Sequence, residues 1–267
     1  MTKITRRQFL AAAGIASLAC ALTACGGSTE PAEQITSIDQ LTGKKIGVQL
    51  GTTSDAFASE DFGEDFVEKF SKSADAVQAL KSGKLDAVLV DNEPAKRFVA
   101  EHSDLMLLDT PYADEDYCIC LAKGSPLTAD FNAAIAELKA DGTMDAILDK
   151  YINGVEDAPG YVTPEGTTYP NGTLTMATNA TFPPYEYYEG DTMVGLDLEF
   201  AKAICDKLGY DLKIEDIEFD AIVPAISTGK HDFGAAGMTV NKERLESVDF
   251  TDSYCHGVQS VIVKKVK

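Results

Sequence analysis

The sequence contains no tryptophan and only three histidines, at positions 102, 231 and 256, too scattered to form a metal-ligand pattern. None of its six cysteines is spaced as C-x-x-C, which argues against zinc and thioredoxin-type chemistry; neither a metal nor another cofactor is expected. Positive charge is scarce: 23 Lys and Arg stand against 43 Asp and Glu, a formal charge of −20. Nucleic acid and anionic lipid faces would repel such a chain and are excluded as partners. Long apolar runs are missing except at residues 9–24, and that one is too short for a finished membrane span. A glycine turn occurs at Gly51, but no Lys-Ser/Thr follows at phosphate-loop spacing.

What is present begins with an export leader. Lys3, Arg6 and Arg7 precede the apolar run, and residues 22–25 (LTAC) close it. The arginine pair resembles a twin-arginine signal, although ordinary secretory leaders also carry such pairs. The closing phrase resembles a bacterial lipobox, in which Cys25 becomes lipidated and N-terminal. The expectation is a lipoprotein signal peptide over 1–24, a flexible tether over 25–37, and an extracytoplasmic protein that touches the membrane only through its lipid. Without residues 1–24, which carry three basic and no acidic residues, the formal charge is −23.

The body alternates strand and helix patterns, the signature of an α/β fold. Residues 45–50, 85–90 and 105–108 read as strands, with helices from Ser73 and around Pro94, giving a smaller lobe over 38–111. Residues 117–123 read as a connecting strand into a larger lobe, 112–267. Two helices follow it, lined by Phe131, Ile135 and Leu138 and then by Met144, Ile147, Leu148 and Tyr151. Residues 153–171, rich in Gly, Pro, Thr and acids, read as a linker. Strands are expected at 174–178, 212–214, 232–237 and 258–263, and helices at 195–208 and 219–227.

An internal repeat ties the lobes together. Leu80-x-x-Gly83-Lys84-x-Asp86 matches Ile226-x-x-Gly229-Lys230-x-Asp232. Five residues beyond each aspartate stand Asp91 and Gly237, at the carboxyl ends of two strands, where open α/β sheets bind ligands. Arg244 lies just past the second strand, with Thr239 before it and Asn241 placed to cap its turn. A guanidinium there offers a fork for a carboxylate. Thr52 and Thr53 open a helix after Gly51 and aim free N–H groups at an anion. Asp91 and the Gly237 carbonyl suit an ammonium. Phe182 and Phe219 suit the two faces of a side chain. Alone, each of these residues is more often structural; together they describe a receiver for a zwitterion.

Residues 234–254 (GAAGMTVNKERLESVDFTDSY) resemble the signature of the polar amino-acid-binding proteins of ABC importers, family 3 of the solute-binding proteins. The resemblance implies a two-lobed periplasmic-binding-protein-like (type II) fold, each lobe a β-sheet flanked by helices, with the ligand in the cleft. It implies that Arg244, Asp91, Thr239, Gly237, Thr52, Thr53, Phe182 and Phe219 hold the amino acid, and that Asn179, Gln49, Ser54 and Tyr185 read its side chain. Asn179 stands where histidine- and lysine-binding members carry aspartate. The expected ligand is therefore neutral or polar, glutamine or cystine ahead of arginine, delivered by lobe closure to ABC permease subunits. A non-enzymatic role is expected. The alternatives are a sensor's ligand-binding protein and a dehydratase-like enzyme on the same fold; the enzyme would need a free acid or base, and Asp91 is already assigned.

The resemblance also implies an unusual chain order. In the family the lobe with the aromatic and arginine motifs comes first and the other lobe is inserted into it; here the inserted lobe comes first, as in a circular permutant. That order implies one covalent crossing between lobes, near residues 110–116, and a looser hinge. A monomer is expected, with a swapped dimer as the rival. Because the family's two connecting strands lie side by side, a disulfide between Cys118 and Cys255 is expected, with Cys120 as rival partner.

Overall fold

The computed structural model describes residues 33–266, and the expected leader, Cys25 and most of the tether lie outside the described residues. From Gln34 onward the chain forms one unit. Its strands are β1 (Ile46–Gln49), β2 (Val67–Phe70), β3 (Ala87–Asp91), β4 (Leu105–Leu107), β5 (Ala113–Tyr117), β6 (Cys120–Ala122), β7 (Thr173–Thr178), β8 (Thr181–Phe182), β9 (Glu186–Glu189), β10 (Thr192–Val194), β11 (Asp211–Asp216), β12 (Phe233–Gly234), β13 (Val248–Phe250) and β14 (Cys255–Lys264). Its helices are α1 (Thr53–Phe62), α2 (Ser73–Lys81), α3 (Asn92–Glu101), α4 (Leu127–Ala140), α5 (Thr143–Tyr151), α6 (Leu196–Lys207), α7 (Ile222–Ser227) and α8 (Arg244–Ser247). The mixed α/β class holds. No helix among the described residues is long and apolar enough to cross a membrane.

Two main sheets carry the site. The first runs β2-β1-β3-β14-β4, with β5 also paired to β14. Its core is split across its two faces: Ala87, Leu89, Val261 and Val263 pack on one side, and Val88, Val90 and Ile262 on the other. A sheet covered on both faces needs apolar residues at every position, which is why β3 reads as an unbroken run. The second runs β11-β7-β12-β6-β13. Met176 of β7 packs with Phe131, Ile147 and Phe200 from α4, α5 and α6. Ala177, the next residue, faces the cluster of Ile222 and Ile226 from α7. A small third sheet, β10-β9-β8, completes the fold.

The repeat found in the sequence has the same geometry in both halves. Gly83 and Gly229 adopt φ of 79° and 72°, where a side chain is unfavourable, and each ends a helix. The next residue donates back to the helix in each case, Lys84 to Ala79 O (3.0 Å) and Lys230 to Ala225 O (2.9 Å). Asp86 then accepts from Lys45 N at 2.8 Å, and Asp232 from Thr175 N at 2.7 Å. Asp86 thus ties β3 to the backbone just before β1, and Asp232 ties β12 to β7.

Several expectations are corrected. β14 does not stop at the edge of the larger lobe: its later residues pair with β3 and β4 inside the first sheet. β5 and β14 therefore both carry the chain between the sheets, paired antiparallel from Cys255↔Tyr117 to Gln259↔Ala113. The single crossing, and the loose hinge it implied, give way to two covalent crossings bonded to each other. The strand expected over 232–237 shortens to Phe233–Gly234, because Gly237 turns the backbone to φ 52°.

The expected disulfide is absent: Cys118, Cys120, Cys205 and Cys255 are free and buried. Tyr117, not Cys118, lies opposite Cys255, and the Cys118 amide leaves that ladder to donate to Met238 O at 2.8 Å. Burial pushes the Cys118, Cys120 and Cys255 thiols up to about 12.

Residues 153–171 lie against α6. Glu199 accepts from Tyr161 N at 2.8 Å and from the Tyr151 hydroxyl at 2.7 Å. Asp206 accepts from the hydroxyls of Tyr161 (3.0 Å) and Thr163 (2.6 Å). Acidic residues on the outer face of α6 thus anchor a segment whose composition suggested only a linker.

Candidate functional site

A cavity lined by residues of both lobes lies between the two sheets. It is built from strand ends. β1 delivers Gln49, and after the Gly51 turn α1 begins. Thr52 caps it, its hydroxyl accepting from Asp55 N at 3.2 Å and donating to Gln49 O at 2.7 Å. The N–H groups of the first helical turn have no acceptor within their own helix, so the start of α1 is a place for negative charge.

Arg244 faces this corner from the other side. Asn241 does what its position suggested: its side chain accepts from Arg244 N at 2.7 Å and starts the α8 turn. The guanidinium is buried, donates to Thr239 O at 2.6 Å and to Gly51 O at 3.0 Å, and lies 5.4 Å from the centre of the Phe219 ring. The Gly51 bond spans the two lobes. A guanidinium has five N–H donors, so these two bonds leave others for a carboxylate.

The opposite corner is acidic. Asp91 ends β3, is 7% exposed, and accepts from the Tyr117 hydroxyl. Burial, with the nearby Glu115 charge, raises it to about 7. Gly237 sits beside it with its amide held by Asp197 Oδ2 at 2.8 Å. A side chain at Gly237 would stand 2.9 Å from Phe182, so the glycine lets the ring close on the cavity.

Between the corners the lining is neutral. Gln49 donates to Asn179 Oδ1 at 3.0 Å, a second bond between the lobes, and accepts from the Ser73 hydroxyl at 3.0 Å. Asn179 donates onward to Ile217 O at 2.8 Å. Phe182 and Phe219 both line the space.

Of the residues singled out in the sequence, Gln49, Thr52, Thr53, Ser54, Asp91, Asn179, Phe182, Phe219, Gly237 and Arg244 come together around this cavity. Two do not line it. Tyr185 stacks behind Phe182, ring centres 5.5 Å apart, and packs edge-on to Tyr117 at 5.2 Å. Thr239 offers its carbonyl to Arg244, while its hydroxyl is buried without a partner.

Sequence reasoning missed Ser73, Leu89, Val90 and Ala236 in the lining. It also missed Glu115, Tyr117 and Gln259, which surround Asp91 from the crossing strands; their alternation on 113–117 was the one available signal. Ser54, expected to read a ligand, gives its hydroxyl to Gln259.

Comparison with known proteins bears directly on this geometry. Residues 174–267 match the model of the bacterial extracellular solute-binding proteins, family 3. Residues 174–267 thus carry the sequence pattern of that family. Among its relatives, the arginine-binding extracellular protein ArtP of Bacillus subtilis (strain 168) is 39% identical over 34% of this chain and 36% of its own. The ABC transporter glutamine-binding protein GlnH of the same organism is 36% identical over 45% of this chain and 44% of its own. The L-cystine-binding protein TcyJ of Escherichia coli (strain K12) is 32% identical over 44% and 45%. The chain spans between about a third and half of the length of these relatives, and all three are named for an amino acid they bind.

Proposed function

We propose that this protein is an extracytoplasmic receptor that closes on a free amino acid and hands it to the permease of an ABC importer. One observation carries the reading: a single cavity is lined both by a buried guanidinium, Arg244, near the start of α1 and by a buried carboxyl group, Asp91, which suits the two charges of a zwitterion. A binding role needs no reacting group, and closure about paired hinge strands suffices. The lining has no carboxylate besides Asp91, and its polar wall is Gln49, Ser73 and Asn179. That wall supports a neutral polar side chain, with glutamine and cystine ahead of arginine.

Calorimetric titration with the twenty amino acids and cystine tests this. Arg244→Ala should weaken binding of the best ligand at least about a hundredfold, since each charge-assisted bond contributes roughly 1.5–3 kcal/mol. Unchanged affinity in that variant would place the ligand elsewhere, and tight binding of glutamate or lysine would overturn the neutral reading. Membrane attachment through Cys25 belongs to the same proposal; Cys25→Ser should release a soluble form or leave an unprocessed precursor.

The circularly permuted order is part of the reading as well. Gln34 donates to Lys264 O at 3.1 Å and accepts from Val266 N at 2.8 Å, so the two ends of the described fold touch. Joining residue 267 to 35 and reopening the chain within 154–170 should give a monomer that binds the same amino acid. A rejoined chain that cannot fold, or a native protein that is an obligate dimer, would count against it.

A further inference from the structure

Asp91 does not stand alone. It faces Gln259 of β14 in register, and Gln259 faces Ala113 of β5 on its other side. Gln259 is fully buried; it donates to Glu115 Oε2 at 2.8 Å and accepts from the Ser54 hydroxyl. Glu115 is 5% exposed, and its Oε1 has no hydrogen-bond partner. Two carboxyl groups are thus buried near each other, Asp91 at the end of β3 and Glu115 on β5, with Gln259 of β14 between them. Among the described residues neither makes an ion pair: the guanidinium of Arg244, across the cleft, is turned to the carbonyls of Thr239 and Gly51.

The other groups around Asp91 add no positive charge. Tyr117 comes from β5, Tyr185 and Glu186 from the β8–β9 hairpin, and Glu93 stands in the first turn of α3. Burial first, and then the Glu115 charge, disfavour an ionised Asp91, against the pull of the Arg244 charge.

We propose that Glu115 is a second acceptor of positive charge in this site, and that an arriving ligand ammonium displaces a proton from the Asp91–Glu115 pair into solvent. The proposal rests on the receptor reading above. It makes Glu115 a specificity-determining residue that touches the ligand's charge through Asp91. Before binding, Asp91 holds its proton in about half of the molecules at pH 7. Afterwards it is ionised and faces the ammonium, and the proton has left to solvent. Because Asp91 is raised to about 7 by burial and by Glu115, the exchange falls in the neutral range.

The test is titration with L-glutamine, L-cystine and L-arginine in buffers of different ionisation enthalpy, from pH 6 to 8. Expected are release of about half a proton per ligand at pH 7 and affinity rising about tenfold across that range. In Glu115→Gln the release at pH 7 should fall, the pH profile should move to lower pH, and affinity at pH 8 should drop several-fold. A simple packing role would alter affinity without removing the proton. Carbon NMR of the carboxyl groups in the ligand-free protein reads the pair by itself, and Glu115→Gln should lower the Asp91 midpoint.

Binding without proton release, or an Asp91 midpoint unmoved by Glu115→Gln, overturns the inference while leaving the receptor reading in place. Failure of every amino acid to bind, with the midpoint shift intact, overturns the receptor reading and the ammonium with it.

Discussion

Asp91 with Glu115 and Glu186 with Asp197 are both pairs of carboxyl groups deep in protein, but they differ in what can reach them. In the first pair Asp91 lines the cleft, and Glu115 lies behind it with one buried, unpartnered oxygen. The second is sealed in the core of the larger lobe, each residue 1% exposed. Asp197 Oδ2 accepts from Gly237 N at 2.8 Å and from the Tyr254 hydroxyl at 2.7 Å. Both oxygens of Glu186 lack a donor among the described residues. That is tolerable only if Glu186 itself carries a proton and gives it to Asp197. Burial raises Glu186 far above the usual carboxylate range and Asp197 to about 6. Burial alone therefore does not mark a ligand-binding acid. The mark is access from the cavity: Asp91 lines it, whereas Glu186 and Asp197 do not, and Asp197 holds the Gly237 amide for the ligand at one remove.

The comparison is broken most severely by Asp197→Ala. It orphans the Gly237 amide, the Tyr254 hydroxyl and the Glu186 proton together. At about 1–3 kcal/mol for a buried group left unpaired, the loss of stability should be about 3 kcal/mol or more, read in urea melts. Affinity should fall as well, because Gly237 is no longer fixed. Asp91→Asn should do the reverse. It removes a buried charge, so the ligand-free protein should melt no lower than wild type, while amino-acid affinity drops about tenfold to a hundredfold. A protein that lost stability at Asp91 and affinity alone at Asp197 would show that the two pairs have been assigned the wrong way round.

Glu186→Gln sharpens the contrast without breaking it. The amide keeps a donor for Asp197 and removes the titration. The sign follows from the raised pKa: between the ordinary glutamate value and its own, folded Glu186 holds a proton that the unfolded chain releases. The wild type therefore loses stability as pH rises through that window. The variant should lack that slope and gain on the wild type from pH 5 to pH 8 in paired denaturant melts. Equal slopes would mean that Glu186 is ionised in the fold.

The binding corners were more legible in the sequence than the pairs behind them. Arg244 and Asp91 were found because each follows a strand, and the repeat of Gly83–Asp86 in Gly229–Asp232 aligned those strand ends. The repeat is a local pattern, and local patterns survive in sequence. Glu115, Tyr117 and Gln259 matter only because β5 and β14 pair with each other and β14 pairs with β3. An apolar run such as 261–263 announces a strand but not the sheet it enters, so the connecting strand expected at 258–263 was assigned to the larger lobe, whereas it pairs with β3 and β4. Tyr185 failed as a ligand reader for a related reason: its hydroxyl suggested a polar role, and stacking behind Phe182 decided its place. The family resemblance suggested a disulfide from neighbouring strands, but a one-residue difference in register set Tyr117, not Cys118, opposite Cys255.

The smallest effect belongs to a third kind of acid. Asp206 on α6 has a nearly covered side chain, yet it is paired: Lys202 lies at 2.9 Å, and the hydroxyls of Tyr161 and Thr163 donate to it. Burial pushes its pKa up, but the bonds from Thr163, Lys202 and Tyr161 outweigh burial, and it ends below the usual value. The linkage therefore has the opposite sign from Glu186. The unfolded chain takes up its proton first, so Asp206 contributes stability above the ordinary aspartate range and loses it as pH falls through its own lower pKa. Asp206→Asn should cost about 1 kcal/mol at pH 7, since the neutral amide still accepts from the hydroxyls but no longer pairs with Lys202. The cost should fade toward pH 3, where the wild-type carboxylate is being protonated too. Because Tyr161 and Thr163 belong to the 153–171 segment, the same substitution should raise proteolytic cleavage there while leaving amino-acid affinity unchanged. A fall in affinity instead would show that the segment bears on the cleft, and that this outer acid is not separate from the inner two pairs.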